Sequence, residues 1–381
     1  MNMSKQFEKN LASFSLKSEK SFGRKYKEDP PKLRTEFQRD RERIIHTTAF
    51  RRLEYKTQVF VNHEGDMYRT RLTHTIEVAQ IARAAARALK INEDLTEAIS
   101  LSHDLGHTPF GHAGQDILNK CMKNFGGFEH NIQSLRIVDK LENVYPNFPG
   151  LNLSFETREG ILKKCNKTRA KKLGDIADRF LKKEQSSLEA QLTNLCDQIA
   201  YNNHDIQDGI RAKKISLEQL KTVPLFKSQM ILALKEHPKI TESQIVNETV
   251  RRIINLLVSD LILNSNANIK NYNIKTPNDV RTCEKETICF SDRIKKENMN
   301  LKRFLHKNLY KHPDVKKMTD KATIVIQDLF NAYSGNIDLL PKPFLKHNIQ
   351  KIRGNQAERV ICDYIAGMTD RFALKEHKKL Y

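Results

Sequence analysis

The sequence predicts a mainly α-helical protein. Apolar residues recur at helical spacing over long stretches, whereas alternating strand patterns are scarce and short. Residues typical of helix starts stand where these stretches begin, as at Asn92, which Glu93 and Asp94 follow. With 381 residues and 39% hydrophobic content, the chain is long enough to bury one large core or two smaller ones.

The clearest helix pattern runs from Thr73 to Leu89, where apolar and alanine residues follow the helical period. The next begins after Asn92 and ends where Gly106 and Pro109 interrupt it. Further helices are expected at 113–123, 130–142, 184–211, 242–263, 314–333 and 355–376. The polar, lysine-rich stretches 163–174 and 264–300 have few apolar anchors, which predicts surface excursions or a boundary between helical layers.

Three regions are expected along the chain. Residues 1–32 are polar and basic and close with Asp29-Pro30-Pro31, which predicts a flexible basic arm. A helical core is expected at 33–211, and residues 212–381 are expected to form a helical C-terminal region that packs on it.

The composition narrows the class of protein. A formal net charge of +20 favours anionic partners such as nucleotides, nucleic acid or acidic membrane, although a solvated lysine-rich surface gives the same charge. The sequence has no apolar run of about 18 residues, and its start lacks the apolar core of a secretory signal. Six cysteines without a CxxC pair are expected to be reduced thiols. We therefore expect a cytoplasmic protein with no membrane partner.

The stretch SLSHDLGHTPFGHAGQD, residues 100–116, concentrates histidines and aspartates at a helix end. His103 and Asp104 leave the packed region there, and their imidazole and carboxylate suit a divalent cation. Neighbouring helical residues diverge by about 100°, so other helices must complete the ligand set. His74, at a helix start, and Asp197, on an apolar helix face, are the candidates, because a buried unpaired carboxylate is costly. Each alone is more often structural, but the joint pattern indicates a metal site.

A zinc site of the HExxH type is the alternative. His103 and His107 have the required spacing. However, Asp104 rather than glutamate follows the first histidine, and Gly106 and Pro109 break the helix that this motif needs. The sequence therefore disfavours it.

An ordered set of motifs covers most of the chain: FQRDRERIIHTTAFRRLEYKTQVF (37–60), TRLTHTIEVAQIAR (70–83), SHDLGHTPFGHAGQD (102–116), GGFEHNIQSLRIV (126–138), GLNLSFETREGIL (150–162), DQIAYNNHDIQDG (197–209) and VICDYIAGMTDRFA (360–373). Together they resemble the HD-domain phosphohydrolases, and among them the deoxyguanosine triphosphate triphosphohydrolase family. The resemblance implies an HD-domain helical fold with additional C-terminal helices and a catalytic core within 33–211. It also implies that His74, His103, Asp104 and Asp197 hold one divalent ion: Mn, Mg, Fe, Co or Ni.

The resemblance further implies hydrolysis of a deoxynucleoside triphosphate (dNTP) at its α-phosphorus, giving the deoxynucleoside and tripolyphosphate. His112 and His130 would then lie beside the metal for proton transfer or phosphate binding, with His112 as the first choice for the acid. Gln115 stands where some relatives carry glutamate. It is expected to orient the His112 imidazole without supplying a charge.

For the substrate, Gln58, Tyr201 and Asp205 match family positions that contact the deoxyribose or a nearby phosphate. The Tyr201 ring would leave little room for a 2′-hydroxyl. Arg71 would neutralise phosphate, and His107 would contact phosphate or stabilise its turn. Simpler interpretations stay open, with Tyr201 as a core aromatic residue and Arg71 as a solvated arginine.

Two other functions remain open. One is an HD-type phosphodiesterase or nuclease, although the GYP motif of cyclic dinucleotide enzymes is absent. The other is a basic regulator that binds nucleotides or nucleic acid, to which Lys163-Lys164 and Lys171-Lys172 would contribute. The resemblance also implies a homo-oligomer and an effector, either single-stranded DNA or a nucleotide. The sequence identifies neither the preferred dNTP nor the native metal.

Overall fold

The computed structural model describes residues 6–58, 68–353 and 356–381. Residues 1–5 of the predicted arm, residues 59–60 of the 37–60 motif and residue 355 of the last predicted helix lie outside the described residues. Within those ranges the chain is mainly helical, and its only β-type pairings are isolated bridges. The predicted mainly α class is confirmed. None of the described helices combines the length and apolar character that a membrane span requires.

The α-helices, in chain order, are α1 (Glu36–Ile45), α2 (Thr48–Arg52), α3 (Arg71–Leu89), α4 (Glu93–Ser102), α5 (Gly111–Cys121), α6 (His130–Arg136), α7 (Phe155–Ile161), α8 (Lys167–Leu173), α9 (Asp178–Lys182), α10 (Leu188–Arg211), α11 (Leu217–Leu220), α12 (Pro224–Glu236), α13 (Glu242–Asn271), α14 (Pro277–Thr282), α15 (Asp292–Leu305), α16 (Pro313–Gly335), α17 (Lys342–Arg353), α18 (Ala357–Ala366) and α19 (Asp370–Leu380). Short 3-10 turns lie at Ser18–Lys20, Leu53–Tyr55, Lys123–Phe125, Gly174–Ala177 and Ile337–Leu339, and π-helical turns at Ile137–Leu141 and His306–Tyr310.

The helices that carry the predicted ligands start where capping residues stand. The Thr70 side chain accepts a hydrogen bond from the Thr73 backbone at the start of α3, and the Asn92 side chain accepts one from Leu95 at the start of α4. Such caps satisfy amides that have no partner within the helix. The predicted helices at 73–89 and after Asn92 are therefore confirmed, with α3 beginning two residues earlier.

Two predicted stretches differ from the structure. The helix expected at 355–376 is divided into α18 and α19 at residues 367–369, where the Thr369 side chain caps α19 by accepting from Phe372. The polar stretch 264–300 is largely helical: α13 continues to Asn271, and α14 and α15 follow. Its widely spaced apolar residues, among them Ile269 and Ile294, reach the core, because a helix needs only one apolar stripe to pack.

Three apolar clusters hold the helices together. The largest joins α3 and α10 to α12, α13 and α15, and so crosses the predicted boundary at residue 211. A second lies beneath α2, α3, α4 and α7, and a third joins α5 to α16, α18 and α19. Through the largest cluster, the C-terminal region packs against α3 and α10, which carry His74 and Asp197.

The described part of the predicted arm, residues 6–32, makes polar contacts with the helical core. The buried carboxylate of Glu8 accepts from the backbone of Ser18 and from the Asn92 side chain. Arg24 donates to Asp40 at 2.6 Å. Buried charged groups need hydrogen-bonding partners, and the core residues Asn92 and Asp40 provide them for Glu8 and Arg24.

A second buried carboxylate fixes the arm and gives a testable prediction. Glu189 Oε1 accepts from the Leu16 backbone, the Ser15 hydroxyl and the Asn92 backbone, at 3.1–3.2 Å. Glu189→Ala leaves these donors buried without a partner, so we expect urea unfolding to show a loss of about 2–4 kcal/mol. Glu189→Gln is the control, because its amide oxygen replaces the single acceptor atom.

Comparing wild type with Glu189→Gln separates the effect of the Glu189 charge from the effect of its hydrogen bonds. Burial raises the pKa of Glu189 above the usual value near 4.5. In the folded state the Glu189 carboxyl therefore keeps its proton to higher pH than in the unfolded state. The contribution of this protonation to the free energy of unfolding is fully present below pH 4.5 and is lost as pH rises through the folded-state pKa. We expect wild type to lose stability relative to Glu189→Gln over that window. A constant difference between the two proteins would contradict this.

Candidate functional site

The predicted metal ligands come together where α3 begins, α4 ends and α10 passes. Ligand atoms of His74, His103 and Asp197 all lie within 4.8 Å of one another. Asp197 Oδ1 is 3.0 Å from His74 Nε2 and 3.6 Å from His103 Nε2. Asp104 adjoins this group, with its Oδ1 3.2 Å from His103 Nε2. Three helices thus place four potential ligands around one small volume.

The chemistry of these donors fits a divalent cation. His103 is 1% exposed, and its Nδ1 lies 2.6 Å from the Ser100 carbonyl oxygen, to which it donates. The other nitrogen, Nε2, makes no hydrogen bond. Burial lowers the pKa of His103, but Asp104 and Asp197 outweigh it and raise that pKa. The site therefore favours positive charge, and mixed imidazole and carboxylate donors suit Mn, Mg, Fe, Co or Ni.

A basic side chain pairs with the second carboxylate oxygen of Asp104 and another with that of Asp197. Arg71, 2% exposed, donates from Nη1 to Asp104 Oδ2 at 2.8 Å, and Lys163 Nζ lies 2.6 Å from Asp197 Oδ2. Burial raises the pKa of Asp104, but His103, together with other nearby cations, holds it well below the usual range. Asp104 is therefore ionised at neutral pH. Each carboxylate keeps its first oxygen directed toward the histidines.

The glycines of the histidine-rich loop permit close backbone packing. A Cβ on Gly106 would lie 2.2 Å from the His130 carbonyl oxygen, so a side chain does not fit there. Phe110 and Gly111 both have left-handed backbone conformations, with φ of 61° and 58°. This turn directs the chain from α4 into α5, whose first residues include His112. Gly106 and Gly111 explain why this segment is not a continuous helix.

The two predicted catalytic histidines border the same cavity as the ligands. His107 stacks on His130 with ring centroids 4.0 Å apart, and His112 lies 5.7 Å from His107. Burial and the charge of Arg71 lower the pKa of His112. Burial lowers the pKa of His130 to about 3, so its imidazole is neutral at physiological pH. The two histidines therefore differ in how readily they carry a proton.

Gln115 contacts a different histidine from the one that the sequence suggested. Its Oε1 lies 2.5 Å from His130 Nδ1 and also accepts from the His130 backbone. Because an amide oxygen only accepts, His130 donates from Nδ1, and its Nε2 carries a lone pair. Gln115 thus orients His130, whereas the expected contact with His112 is not made.

The predicted sugar-binding residues lie at different depths. Gln58 and Tyr201 line the cavity, and Gln58 Oε1 has no hydrogen-bond partner. The Tyr201 ring lies 6.4 Å from His74 and 6.0 Å from Tyr310. Asp205 is fully buried and does not line the cavity; it accepts a hydrogen bond from the Tyr310 hydroxyl. Tyr310 therefore stands between Asp205 and the cavity.

The cavity has a volume of about 810 Å³. That size lies within the usual range for small-molecule sites, about 300–1,000 Å³. Its lining includes many groups that can donate to an anion: Gln58, Arg71, His107, His112, His130, Lys163, Lys164, Arg179, Tyr201, Lys302 and Tyr310. Such a lining suits a ligand of high negative charge.

Sequence reasoning missed Lys163 and Tyr310 as members of this site. In the sequence, Lys163 belongs to a basic run that follows α7, in a stretch predicted to lie on the surface. Tyr310 lies more than 100 residues from Asp205 in the chain. No spacing signal identifies either residue, because tertiary packing alone brings them to the cavity.

Two family models match parts of this chain. Residues 71–202 match the family model of the HD domain, and residues 288–379 match that of a phosphohydrolase-associated domain. The four potential ligands, from His74 to Asp197, all lie within the first match.

Curated relatives match nearly the whole chain. Proteins from Thiobacillus denitrificans and Nitrosomonas europaea are 53% and 54% identical over 98% of both chains. One from Bordetella pertussis is 54% identical over 97% of this chain and 96% of its own. Each is named a deoxyguanosinetriphosphate triphosphohydrolase-like protein. At this identity and coverage, the chain belongs to the family of deoxyguanosinetriphosphate triphosphohydrolase-like proteins, within the HD-domain phosphohydrolases.

Proposed function

We propose that this hydrolase cleaves deoxynucleoside triphosphates at the α-phosphorus, with a divalent metal, and releases the deoxynucleoside and tripolyphosphate. One observation carries the proposal: a compact His74, His103, Asp104 and Asp197 cluster opens into a cavity of about 810 Å³ that is rich in hydrogen-bond donors, among them the cations Arg71, Lys163, Lys164, Arg179 and Lys302. A triphosphate needs such a lining, because its charge is otherwise expensive to remove from water.

His74, His103, Asp104 and Asp197 would hold the metal. A bound divalent ion would polarise a phosphoryl oxygen and lower the pKa of a bound water. Arg71 and Lys163 have further donor capacity beyond their carboxylate contacts, because a guanidinium carries five N–H groups and an ammonium three. They would orient the phosphates, together with His107.

Breaking the bond between the α-phosphorus and the 5′-oxygen leaves a proton to be delivered to that oxygen. His112 is the proposed donor, since it lines the cavity and its lowered pKa makes it a stronger acid than an ordinary histidine. His130 is neutral and oriented by Gln115, so it suits hydrogen bonding to a phosphate or to the attacking water.

The products test the proposal. Each of the four dNTPs is incubated with the protein and Mn²⁺ or Mg²⁺, the reaction is stopped with a chelator, and the phosphate products are followed by 31P NMR and the deoxynucleoside by liquid chromatography. We expect equimolar deoxynucleoside and tripolyphosphate. Release of pyrophosphate or orthophosphate would overturn it, and cleavage of cyclic dinucleotides or DNA ends instead would favour the phosphodiesterase alternative. Metal content measured on the same sample identifies the ion.

Tyr201 gives a prediction about sugar selectivity. Its ring stands beside His74 at the cavity wall, where it would exclude a 2′-hydroxyl. An apolar surface rejects an added hydroxyl by up to about 100-fold, so we expect Tyr201→Ala to lower the dNTP to rNTP ratio of kcat/KM about tenfold. Tyr201→Phe keeps the ring and is the control. An unchanged ratio in Tyr201→Ala would assign the discrimination to another residue.

The proposal includes a cytoplasmic homo-oligomer with single-stranded DNA or a nucleotide as effector. Exposed lysines support an anionic effector, among them Lys171 and Lys172 at the end of α8. Contacts of this kind weaken as salt rises, which distinguishes them from an apolar interface.

A further inference from the structure

A single carboxylate in the C-terminal region contacts two segments of the cavity wall. Asp370, the first residue of α19, is 4% exposed. Its Oδ1 accepts from the Phe110 backbone and its Oδ2 from the Thr57 backbone, both at 3.0 Å. These two amides are 260 and 313 residues away along the chain. Asp370 therefore connects parts of the fold that the sequence keeps far apart.

Both amides lie within two residues of a residue of the proposed site. Phe110 stands two positions before His112, and Thr57 stands next to Gln58. Phe110 is a bulky residue with a left-handed backbone, and no side chain caps the start of α5. Such a conformation persists only where surrounding contacts enforce it. Asp370 supplies that contact.

Lys56 holds the same loop from the other side. Lys56 is 2% exposed, and its Nζ donates to the Ala366 carbonyl at 2.9 Å and to the His107 carbonyl. The loop from His107 to Phe110 is thus connected at both ends to α18 and α19. Ala366 is the last residue of α18 and Asp370 the first of α19, so the residues that contact the loop flank the break between these helices.

We propose that Asp370 is a positioning residue for catalysis: by fixing the backbone of Phe110 and Thr57, it sets the places of His112 and Gln58. The claim rests on the proposed function, since it assigns His112 a chemical role. It also gives the C-terminal region a part in the chemistry of the HD domain. A carboxylate that merely stabilised the fold would have no specific link to His112.

Asp370→Asn tests the proposal. The amide oxygen replaces one acceptor, while the NH₂ group opposes the second backbone N–H. Misplacement of a catalytic group by about 1 Å costs on the order of 100-fold, so we expect kcat to fall about 10- to 100-fold. Mn²⁺ affinity should stay within about twofold, because Asp370 contacts no ligand residue. Asp260→Asn is the matched control. Asp260 also accepts from a backbone amide, that of Ser291 at 2.9 Å, but does not line the cavity.

A double-mutant cycle with His112→Ala separates positioning from general stability. If Asp370 acts chiefly through His112, Asp370→Asn costs no more than about threefold in the His112→Ala background. Equal losses in both backgrounds would overturn the proposal. If Asp370→Asn does not fold, Asp370→Glu, which keeps the charge and displaces it, enters the same cycle.

Hydrogen exchange gives a readout that does not depend on activity. In Asp370→Asn the amides of Thr57 and Phe110 should exchange at least about tenfold faster than in wild type, while amides in α13 keep their rates. Unchanged exchange at both positions would also overturn the proposal. If wild type cleaves no dNTP, the proposed function fails, and the exchange data still show whether Asp370 holds these segments.

Discussion

Asp197→Asn is expected to lose bound metal and to lower kcat/KM by at least about 1,000-fold, because it removes the charge that approaches both ligand histidines. The amide has the same shape as the carboxylate, so the fold is retained. Its oxygen is a far weaker ligand for a divalent cation. The remaining cations of the site, above all Lys163, then face fewer negative charges and repel the metal further.

The measurement combines metal content by mass spectrometry with dNTP turnover. Asp328→Asn is the matched control, because Asp328 also contacts a histidine, His377 Nε2 at 2.8 Å, and lies outside the cavity lining. The control should keep its metal and its rate. Full metal occupancy and activity in Asp197→Asn would exclude the proposed ligand set.

Local sequence patterns predicted the helices that carry the ligands. The 3.6-residue period located α3, and Asn92 marked the start of α4. Asp197 was identified because an aspartate on an apolar helix face needs a partner. In the structure its partners are His74 and Lys163. Periodicity was sufficient to locate the helices, because it acts within one helix, and Asp197 has the expected partners although its side chain is 25% exposed rather than buried.

Contacts between distant segments could not be predicted in the same way. The sequence places Gln115 one helical turn after His112, yet its partner is His130, which approaches across the loop. Lys163 follows a stretch whose composition resembles a surface segment, although its ammonium group reaches Asp197. The break before Asp370 has local signals, because Gly367 follows α18 and Thr369 caps α19, but nothing local indicates that Asp370 contacts Thr57 and Phe110. These features depend on how helices pack, which single-segment propensity does not encode.

His112→Ala should lower kcat about 100- to 10,000-fold while metal content stays unchanged, because His112 is the proposed acid and not a ligand. His237→Ala, at an exposed histidine outside the cavity lining, is the control and should keep the rate. A general structural loss would reduce metal content as well. A rate within about threefold of wild type would assign the proton transfer to another group.

The leaving group provides the sharper test of this role. In a dNTP whose 5′-oxygen is replaced by sulfur, the departing thiolate has a conjugate-acid pKa of about 8.5 and needs no proton. We therefore expect the penalty of His112→Ala to shrink to less than about tenfold with this analogue. Because an acid must be protonated to act, wild-type kcat/KM for the ordinary dNTP should fall as pH rises through the pKa of His112 in the free enzyme. That pKa lies below the usual 6.5, since burial and the charge of Arg71 lower it. The descending limb should vanish in His112→Ala, and its persistence there would mean that a different group controls the pH profile.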